Sequence, residues 1–318
     1  MKIGLFTKKP TGGKFIVSLA VAGLLGVLAV PNVAACACGC GIFEVGTGAL
    51  FPTAPGGKIS FEWDYMDQNQ NWSGLSQAAA ANNNDKEIVS NFFKLNGQFM
   101  FNHSWGIEID IPYTARAFST LDSNGVTVDT FNHAAFGDVR ISGMFTGISP
   151  DMSTGLSLGV KLPTGDSTYA NFDADTEIGS GSTDLLLGFY HFGQLFESSN
   201  WNWTVEAGLD QPILTQNNYT PGSEIDASVG INYRGIAIGD LNIVPIVQLA
   251  GSFRANDSGA NADPADSGYT RYVFIPGLDL ELGSWRLIAT ADLPFYQNVN
   301  GNQLVAPVLL KVMASVSF

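Results

Sequence analysis

Apolar and polar residues alternate with a period of two along most of the chain that follows residue 57. In Trp105–Phe118, for example, Ile107, Ile109 and Ile111 fall on one face, and Glu108 falls on the other. This period predicts β-strands with one apolar and one polar face. Most of them are long enough to cross a bilayer at a tilt. We predict twelve strands: Lys58–Gln68, Ser90–Asn102, Trp105–Phe118, Phe136–Gly147, Thr154–Pro163, Ser182–Phe192, Trp201–Ile213, Glu224–Arg234, Leu241–Ala255, Tyr269–Leu282, Trp285–Gln297 and Leu304–Phe318.

The charged residues of these strands are sorted onto the polar faces. Of the 11 basic residues that follow residue 35, nine fall on a polar face, together with many acids. An Arg or Lys that faced lipid at mid-bilayer would cost about 2–4 kcal/mol, so a lipid-facing exterior requires such sorting. The polar faces therefore predict a charged lumen. The predicted lumen-lining residues are Glu62, Asp64, Lys94, Glu108, Asp110, Arg116, Asp138, Arg140, Lys161, Glu206, Asp210, Arg234, Arg254, Arg271, Arg286, Asp292 and Lys311.

Long and short connections alternate between the predicted strands. Residues 69–89 follow the first strand, only His103 and Ser104 follow the second, and Gly283-Ser284 is the tightest connection. Outer-membrane barrels have short periplasmic turns and longer outer loops, and an even strand number leaves both termini in the periplasm. The pattern therefore predicts an all-β, transmembrane, antiparallel up-and-down β-barrel of about 12 strands, which spans residues 58–318.

The last predicted strand, Leu304–Phe318, runs to the final residue of the sequence and ends in an aromatic side chain. It resembles the sorting signal of bacterial outer-membrane proteins, so Phe318 is predicted to be an assembly signal read by the outer-membrane assembly machinery. A closed barrel has no free edge. We therefore expect this strand to pair with Lys58–Gln68 and to direct Lys311 into the lumen.

The N-terminus has the pattern of a secretory signal. Four lysines precede an apolar run, Phe15–Val30, and the small residues Ala34 and Ala35 precede Cys36. We predict a signal peptide at residues 1–35 and a Cys-containing tail or plug at residues 36–57. The string Val33–Cys36 also fits, loosely, the lipobox of lipoproteins, in which Cys36 would be lipidated.

The cysteines occur only as Cys36, Cys38 and Cys40. Alternate cysteines are poorly placed to bond each other without strain. Thiolates at this spacing could hold a soft metal such as Cu(I) or Zn. The alternative is a lipid-modified or merely flexible tail, and no other cofactor is predicted.

Charge and motifs narrow the classes of function. Loss of residues 1–35 leaves 11 basic against 29 acidic residues, which is a poor balance for a nucleic-acid binder. Gly155–Gly159 matches G-x-S-x-G, but it lies in mid-strand and not on a strand-to-helix turn. The three histidines assemble no catalytic set with neighbouring acids and serines. The sequence therefore predicts that the protein is not an enzyme.

Prolines recur near the ends of the strands that lead to the long connections. Proline cannot donate to a strand ladder, so these sites should be bulges or the outer limits of pairing. A functional alternative is an opening in the wall, through which an apolar ligand would leave sideways. The prolines concerned are Pro112, Pro163, Pro212 and Pro294.

The most specific local pattern is a pair of strings, KLPTGD at Lys161–Asp166 and IGSGSTDL at Ile178–Leu185. It resembles the outer-membrane family named for the MetA pathway of phenol degradation, whose members are similar to fatty-acid and aromatic-hydrocarbon transport barrels. The resemblance implies passage of hydrophobic or aromatic molecules, and it transfers no ligand-binding residues. The cysteine-rich start is not part of the family pattern.

The predicted function is therefore an outer-membrane channel or transporter for small hydrophobic or aromatic molecules in a Gram-negative envelope. Its expected partners are outer-membrane lipid, the assembly machinery and a small-molecule solute, with no nucleic acid. The alternative function is a structural or surface-binding barrel with a metal-binding or lipidated Cys tail.

Overall fold

A computed structural model describes residues 51–122, 125–197 and 199–318, which form an all-β structure. Sixteen β-strands lie in these residues. They are β1 (Gly56–Gln68), β2 (Gln70–Gly74), β3 (Ser76–Gln77), β4 (Asp85–Met100), β5 (Trp105–Leu121), β6 (Val128–Phe136), β7 (Arg140–Phe145), β8 (Thr154–Lys161), β9 (Ser182–Gln194), β10 (Trp201–Thr215), β11 (Glu224–Tyr233), β12 (Ile236–Ile238), β13 (Leu241–Arg254), β14 (Tyr269–Leu282), β15 (Trp285–Val305) and β16 (Leu309–Ser317). In the same residues, no helix has the length and apolar character needed to cross a membrane.

Twelve of the strands close into one antiparallel barrel. The neighbours follow the order β1, β4, β5, β7, β8, β9, β10, β11, β13, β14, β15 and β16, and β16 pairs again with β1. The closing register runs from Lys58 opposite Ser317 to Met66 opposite Leu309. The predicted fold and the predicted closing pair of strands are therefore confirmed, and the remaining strands extend the wall at its rims.

The seam between β1 and β16 ends in a close backbone contact. The Gly57 amide donates to the Phe318 carbonyl oxygen at 2.8 Å, and the Phe318 amide donates back to the Gly57 carbonyl oxygen at 2.9 Å. A Cβ atom on Gly57 would lie 2.4 Å from the Phe318 ring, so the ring packs directly against the Gly57 backbone. The last residue thus forms part of the closed ladder.

The two faces of the barrel wall differ in polarity, as the alternation predicts. Apolar side chains such as Ile111, Leu249 and Leu287 are exposed on the outside. Inward side chains include buried charged residues, such as Glu62 of β1 and Asp279 of β14. Because a lipid-facing charge is costly, this apolar belt is the surface that contacts the membrane.

The fourth predicted strand, Phe136–Gly147, is not continuous. It is divided into β6 and β7, and residues 137–139 between them leave the ladder. Opposite the break, Pro112 of β5 has no N–H to donate, which explains why pairing stops here. Most of the predicted connection after the third strand is also strand, because the ends of β5 and β6 form a hairpin up to Leu121 and Val128.

The last strand is shorter than predicted. Leu304 belongs to the end of β15, which continues to Val305, and β16 begins only at Leu309. The pairing of β15 with β14 ends at Val299, and the rest of β15 pairs with β2. Pro307 lies in the turn between the two strands, where its missing N–H costs no ladder hydrogen bond.

The two rims of the barrel differ. One rim, which we call the turn end, carries Gly56, Phe318 and tight connections such as Gly283-Ser284. The opposite rim, which we call the loop end, carries the hairpin of β5 and β6 and the segments 162–181, 216–223 and 255–268. Two other prolines lie where the pairing register shifts, Pro212 in β10 and Pro294 in β15, as expected of bulges.

Candidate functional site

A cavity of about 250 Å³ lies inside the barrel. Six carboxylates and three basic side chains line it, so its formal charge is negative. Eight of the predicted lumen-lining residues contribute to this wall: Glu62, Lys94, Glu108, Asp110, Arg140, Glu206, Asp210 and Lys311. Asp226 and Ser228 also line the cavity and were not among the predicted site residues, although both lie on the polar face of β11.

One ion-pair network joins the closing seam to the neighbouring strand. Glu62 Oε1 accepts Lys94 Nζ at 3.0 Å and lies 3.6 Å from Lys311 Nζ. Lys311 also lies 4.0 Å from Asp64 Oδ1. Asp292 is buried nearby on β15, which pairs with β16. The register of the seam brings these charges together, because Asp64 is directly opposite Lys311.

A second network lies across the barrel wall between β7 and β10. Asp210 Oδ2 is 3.4 Å from the Arg140 guanidinium and 3.3 Å from Lys161 Nζ. Lys161 also pairs with Asp184, whose side chain is fully buried. Asp184 was not among the predicted site residues. Its place two residues into β9, directly opposite Lys161 of the same hairpin, is the signal that could have revealed it.

A wider cavity of about 870 Å³ opens at the turn end. Arg234 and Arg286 both line it, and both pair with Glu281, at 2.8 and 3.0 Å respectively. Arg286 pairs with Asp279 as well. Both arginines of the vestibule wall are therefore paired with carboxylates.

The remaining basic residues of the predicted set lie toward the loop end. Arg254 pairs with the buried Asp257 at 2.8 Å, and the Arg271 guanidinium lies 4.5 Å from the centre of the Tyr269 ring. The Tyr269 hydroxyl donates to Glu224 at 2.7 Å. The Arg254–Asp257 pair anchors segment 255–268 to the wall, the other two contacts join β14 to β11 or lie within β14, and none of these residues lines the central cavity.

Phe51 and Gln98 lie where the central cavity adjoins the vestibule, since both side chains line both spaces. The Phe51 ring belongs to an aromatic cluster. Its ring stacks on Tyr190 with 4.1 Å between centroids and lies 6.0 Å from the centre of the Phe192 ring. Met144 and Met152, both buried, belong to the same cluster. The result is an apolar cluster beside the place where two polar spaces adjoin. No periodicity of the strands could have predicted it, because Phe51 precedes β1.

The loop end is closed by segment 162–181, which folds over the mouth of the barrel. Phe172 of this segment packs edge-on against Phe118 of β5, with 5.7 Å between ring centroids. Ile88 and Leu304 complete the buried cluster. From below, Arg116 donates to the backbone carbonyl oxygens of residues 176 and 177, at 2.5 and 3.0 Å. Apolar packing of Phe172 and the hydrogen bonds from Arg116 thus hold segment 162–181 against β5.

Asp138 holds the base of the same segment. Its carboxylate accepts the Gly165 amide at 2.9 Å, the Ser180 amide at 2.7 Å and the Ser180 hydroxyl at 2.6 Å. A Cβ atom on Gly165 would lie 2.7 Å from the Gly179 backbone, so the two arms approach too closely for a side chain. The paired KLPTGD and IGSGSTDL strings therefore form one hydrogen-bonded neck, and Asp138 acts there and does not line the central cavity.

His133 of β6 makes a second contact with this segment. Its Nε2 atom lies 3.0 Å from Asp166 Oδ2, and its ring stacks on Tyr169 with 4.1 Å between centroids. Among the described strands, β6 pairs with β5 alone. The other edge of β6 has no strand partner in the part of the chain that the structure describes, and segment 162–181 covers this part of the rim.

Docking of segment 162–181 is expected to depend on pH through Glu177. Burial, and then the negative charge of Asp166, raises the pKa of the Glu177 carboxyl from 4.5 to about 7, although Arg116 lowers it. The docked segment therefore retains a proton that the undocked segment releases between these two values. Docking is then most stable below pH 4.5 and weakens as the pH rises toward 7.

Hydrogen exchange of peptides within residues 162–181 measures this effect. After correction for intrinsic exchange rates, the protection of these amides should fall as the pH rises from about 5 to about 7. This range lies between the ordinary pKa of Glu177, 4.5, and its raised value of about 7. Glu177→Gln should flatten this dependence, because the amide does not titrate. An unchanged slope in that variant would assign the pH dependence to another group, such as Asp173, whose pKa burial also raises.

The predicted soft-metal ligands Cys36, Cys38 and Cys40 lie outside the described residues, as do the predicted signal peptide and most of the tail. Across residues 51–122, 125–197 and 199–318, no group of three or more His, Cys, Asp or Glu side chains could hold a metal ion. The proposed thiolate site therefore stays a prediction from the sequence.

Comparison with known proteins identifies the fold. No protein-family model matches the chain, and no curated protein matches it. Among solved structures, the chain is similar to the COG4313 outer membrane channel from Pseudomonas putida F1, with a TM-score of 0.65 and 12% identity over 86% of this chain and 100% of that chain. It is also similar to the β domain of the Bordetella autotransporter BrkA, with a TM-score of 0.52 and 9% identity over 83% of this chain and 100% of that chain.

At these identities the likeness shows a shared fold. Together with the apolar belt and the charged lumen, it places the protein in the class of transmembrane β-barrels of twelve strands. The internal cavity, the aromatic cluster at Phe51 and the cover at the loop end are the features of this barrel that bear on its function.

Proposed function

We propose that the protein is a channel in the outer membrane of a Gram-negative bacterium, and that it passes small hydrophobic or aromatic molecules. The observation that carries this proposal is the lumen: a closed barrel with a lipid-facing exterior encloses a central cavity and a vestibule that adjoin at Phe51 and Gln98. A purely structural barrel would gain nothing from two adjoining cavities. The structurally similar protein from Pseudomonas putida F1 is an outer membrane channel, which is consistent with the proposal.

The orientation follows from the two rims. Short turns and both ends of the barrel lie at the turn end, which we assign to the periplasm, and the loop end then faces outward. Outer-membrane lipid surrounds the apolar belt. The assembly machinery that reads Phe318 is part of the same proposal, and the paired contacts of Phe318 with Gly57 support its role in barrel closure.

We also propose that the chain belongs with the family named for the MetA pathway of phenol degradation. The neck held by Asp138 supports this, because it explains why the two strings occur together. The unpaired edge of β6 supports a sideways exit for apolar molecules at the loop end, near Pro112 and under segment 162–181.

The alternative function, a structural or surface-binding barrel with a metal-loaded or lipidated Cys tail, concerns residues 36–50, which precede the described part of the chain. Metal analysis of the protein with Cys38 and Cys40 changed to Ser tests it. A metal content that is unaffected by these changes would contradict the metal site.

Conductance of the purified protein in planar bilayers tests the channel. Phe51→Ala is expected to raise the single-channel conductance several-fold, because Phe51 lies where the two cavities adjoin and a large apolar side chain at that place excludes water. Phe196→Ala provides the control, since Phe196 is exposed in a turn. If neither the wild-type protein nor Phe51→Ala conducted ions or took up solutes, the channel proposal would fail.

A further inference from the structure

Three methionines pack together inside the turn-end half of the barrel. Met100, Met144 and Met152 are all buried and belong to one cluster. The sequence has 6 methionines, and the other two that the structure describes, Met66 and Met313, lie in separate clusters. Half of the thioether groups of the chain are therefore concentrated at one place.

The strand register places two of these methionines on either side of a glycine. Met100 of β4 is directly opposite Gly106 of β5, which is in turn directly opposite Met144 of β7. A Cβ atom on Gly106 would lie 2.2 Å from the Sδ atom of Met100. This sulfur therefore lies over β5, on the side of Met100 that faces Met144, in space that a larger residue at position 106 would fill.

Met152 enters the same cluster from the connection between β7 and β8. Its φ of 59° lies in the left-handed region, which few residues other than glycine adopt, and its side chain is fully buried. The Met152 carbonyl oxygen accepts the Tyr190 hydroxyl at 3.3 Å. The turn thus holds a third thioether in the cluster.

The cluster borders both internal cavities. Met144 lines the central cavity, and Met100 lines the vestibule. The stacked rings of Phe51 and Tyr190 pack against the same cluster. A small ion in either cavity therefore has a thioether on the wall beside it. Hard cations such as Ca²⁺ take oxygen ligands, whereas thioethers select soft cations such as Cu(I).

The sequence supplies further soft ligands on the same chain. Cys40 precedes Phe51 by eleven positions, and Cys36 and Cys38 lie just before it. Eleven extended residues span at most about 40 Å. Thiolates and thioethers prefer the same soft metals, so a short length of chain joins two sets of ligands with one chemical preference.

We propose that Met100, Met144 and Met152 form a binding site for a soft monovalent cation, Cu(I), beside the place where the central cavity adjoins the vestibule. Each thioether offers the metal a lone pair on a polarizable sulfur. The rings of Phe51 and Tyr190 shield the site on one side. This site goes beyond the proposed passage of organic solutes and does not depend on it.

Titration of the purified full-length protein with Cu(I), under reducing conditions and in competition with the chelator bicinchoninate, tests the proposal. The variant Cys38→Ser/Cys40→Ser is the background, because its single remaining cysteine cannot form a thiolate cluster. One Cu(I) per chain should bind to this background, and the X-ray absorption spectrum of the copper should show sulfur neighbours. Zn(II), whose usual ligands are thiolate, imidazole and carboxylate, should not displace it.

Adding Met100→Leu, Met144→Leu and Met152→Leu to the background should lower the affinity for Cu(I) at least about tenfold. Loss of a residue that merely supports a metal ligand already costs about 10–100-fold in affinity, so loss of the ligands should cost no less. Leucine keeps nearly the volume of methionine, and the gel mobility of the unheated protein checks the folded fraction. Met66→Leu in the same background is the matched control and should bind Cu(I) as the background does.

The outcomes separate the metal site from simple packing of methionines. Failure of the background to bind Cu(I), unchanged affinity in the triple variant, a copper spectrum without sulfur neighbours, or displacement by Zn(II) would each overturn the site. None of these results touches the channel proposal, which the conductance of Phe51→Ala tests separately.

Discussion

Replacing Lys311 with methionine is expected to destabilise the barrel by about 3–5 kcal/mol, the usual effect of removing one partner from a buried ion pair. Lys311 is 6% exposed and lies within 4.0 Å of both Glu62 and Asp64. Methionine keeps the length of the side chain but leaves Asp64 buried without its cation. Because Lys311 lies on β16, which closes the barrel against β1, the variant should weaken the pairing of these two strands. Urea unfolding in lipid vesicles, followed by tryptophan fluorescence, measures it.

A double-mutant cycle separates the ion pair from packing. If the charge of Asp64 causes the loss, Asp64→Asn/Lys311→Met will be less destabilised than the sum of the two single variants. Lys86→Met is the control, because Lys86 donates to backbone carbonyl oxygens at the loop end, away from the seam. Additive effects in the cycle would contradict the assignment of the stability to the pair.

Replacing Arg116 with methionine is expected to release segment 162–181 from the mouth of the barrel. The guanidinium donates to the carbonyl oxygens of Thr176 and Glu177 and, through Nε, to Ser90 Oγ at 2.9 Å. A hydrogen bond from a charged group contributes about 1.5–3 kcal/mol, so the undocked fraction should rise at least about tenfold. Chymotrypsin cleavage beside Phe172, which is buried in the docked segment, measures this fraction.

The same variant should also conduct better, because the segment covers one end of the lumen. Arg234→Met removes a basic residue from the opposite rim and should leave cleavage beside Phe172 at the wild-type rate. If Arg116→Met were cleaved no faster than Arg234→Met, the apolar packing of Phe172 against Phe118 would be enough to hold the segment, and Arg116 would not be its anchor.

The face of each strand was predictable from local pattern. Lys311, Glu62 and Asp64 alternate with apolar neighbours, so a period of two directs them inward once one face contacts lipid. The twelve strands and the closure of the last strand on the first were predictable for the same reason. The ends of the strands were less predictable. The fourth predicted strand is broken at residues 137–139, and the last strand begins at Leu309 and not at Leu304.

The contacts of the loop end could not be read from that pattern. Asp138 was predicted to line the lumen on the polar face of a continuous strand, but it accepts three hydrogen bonds in the neck of segment 162–181. Its partners are separated from it by 27 and 42 positions in the sequence. Segment 162–181 has no strand period, so nothing local indicates that it folds over the mouth.

The sequence by itself determined the class of fold, the number of strands and the residues that avoid lipid. Contact with lipid requires an apolar side chain at every second position of a strand, and this alternation can be read from neighbouring residues. The tertiary structure alone decided which charged side chains form ion pairs, that Phe51 lies where the two cavities adjoin, and how Arg116 and Asp138 hold segment 162–181 at the loop end. These depend on strand register and on the path of irregular segments, which are set by contacts between residues far apart in the chain.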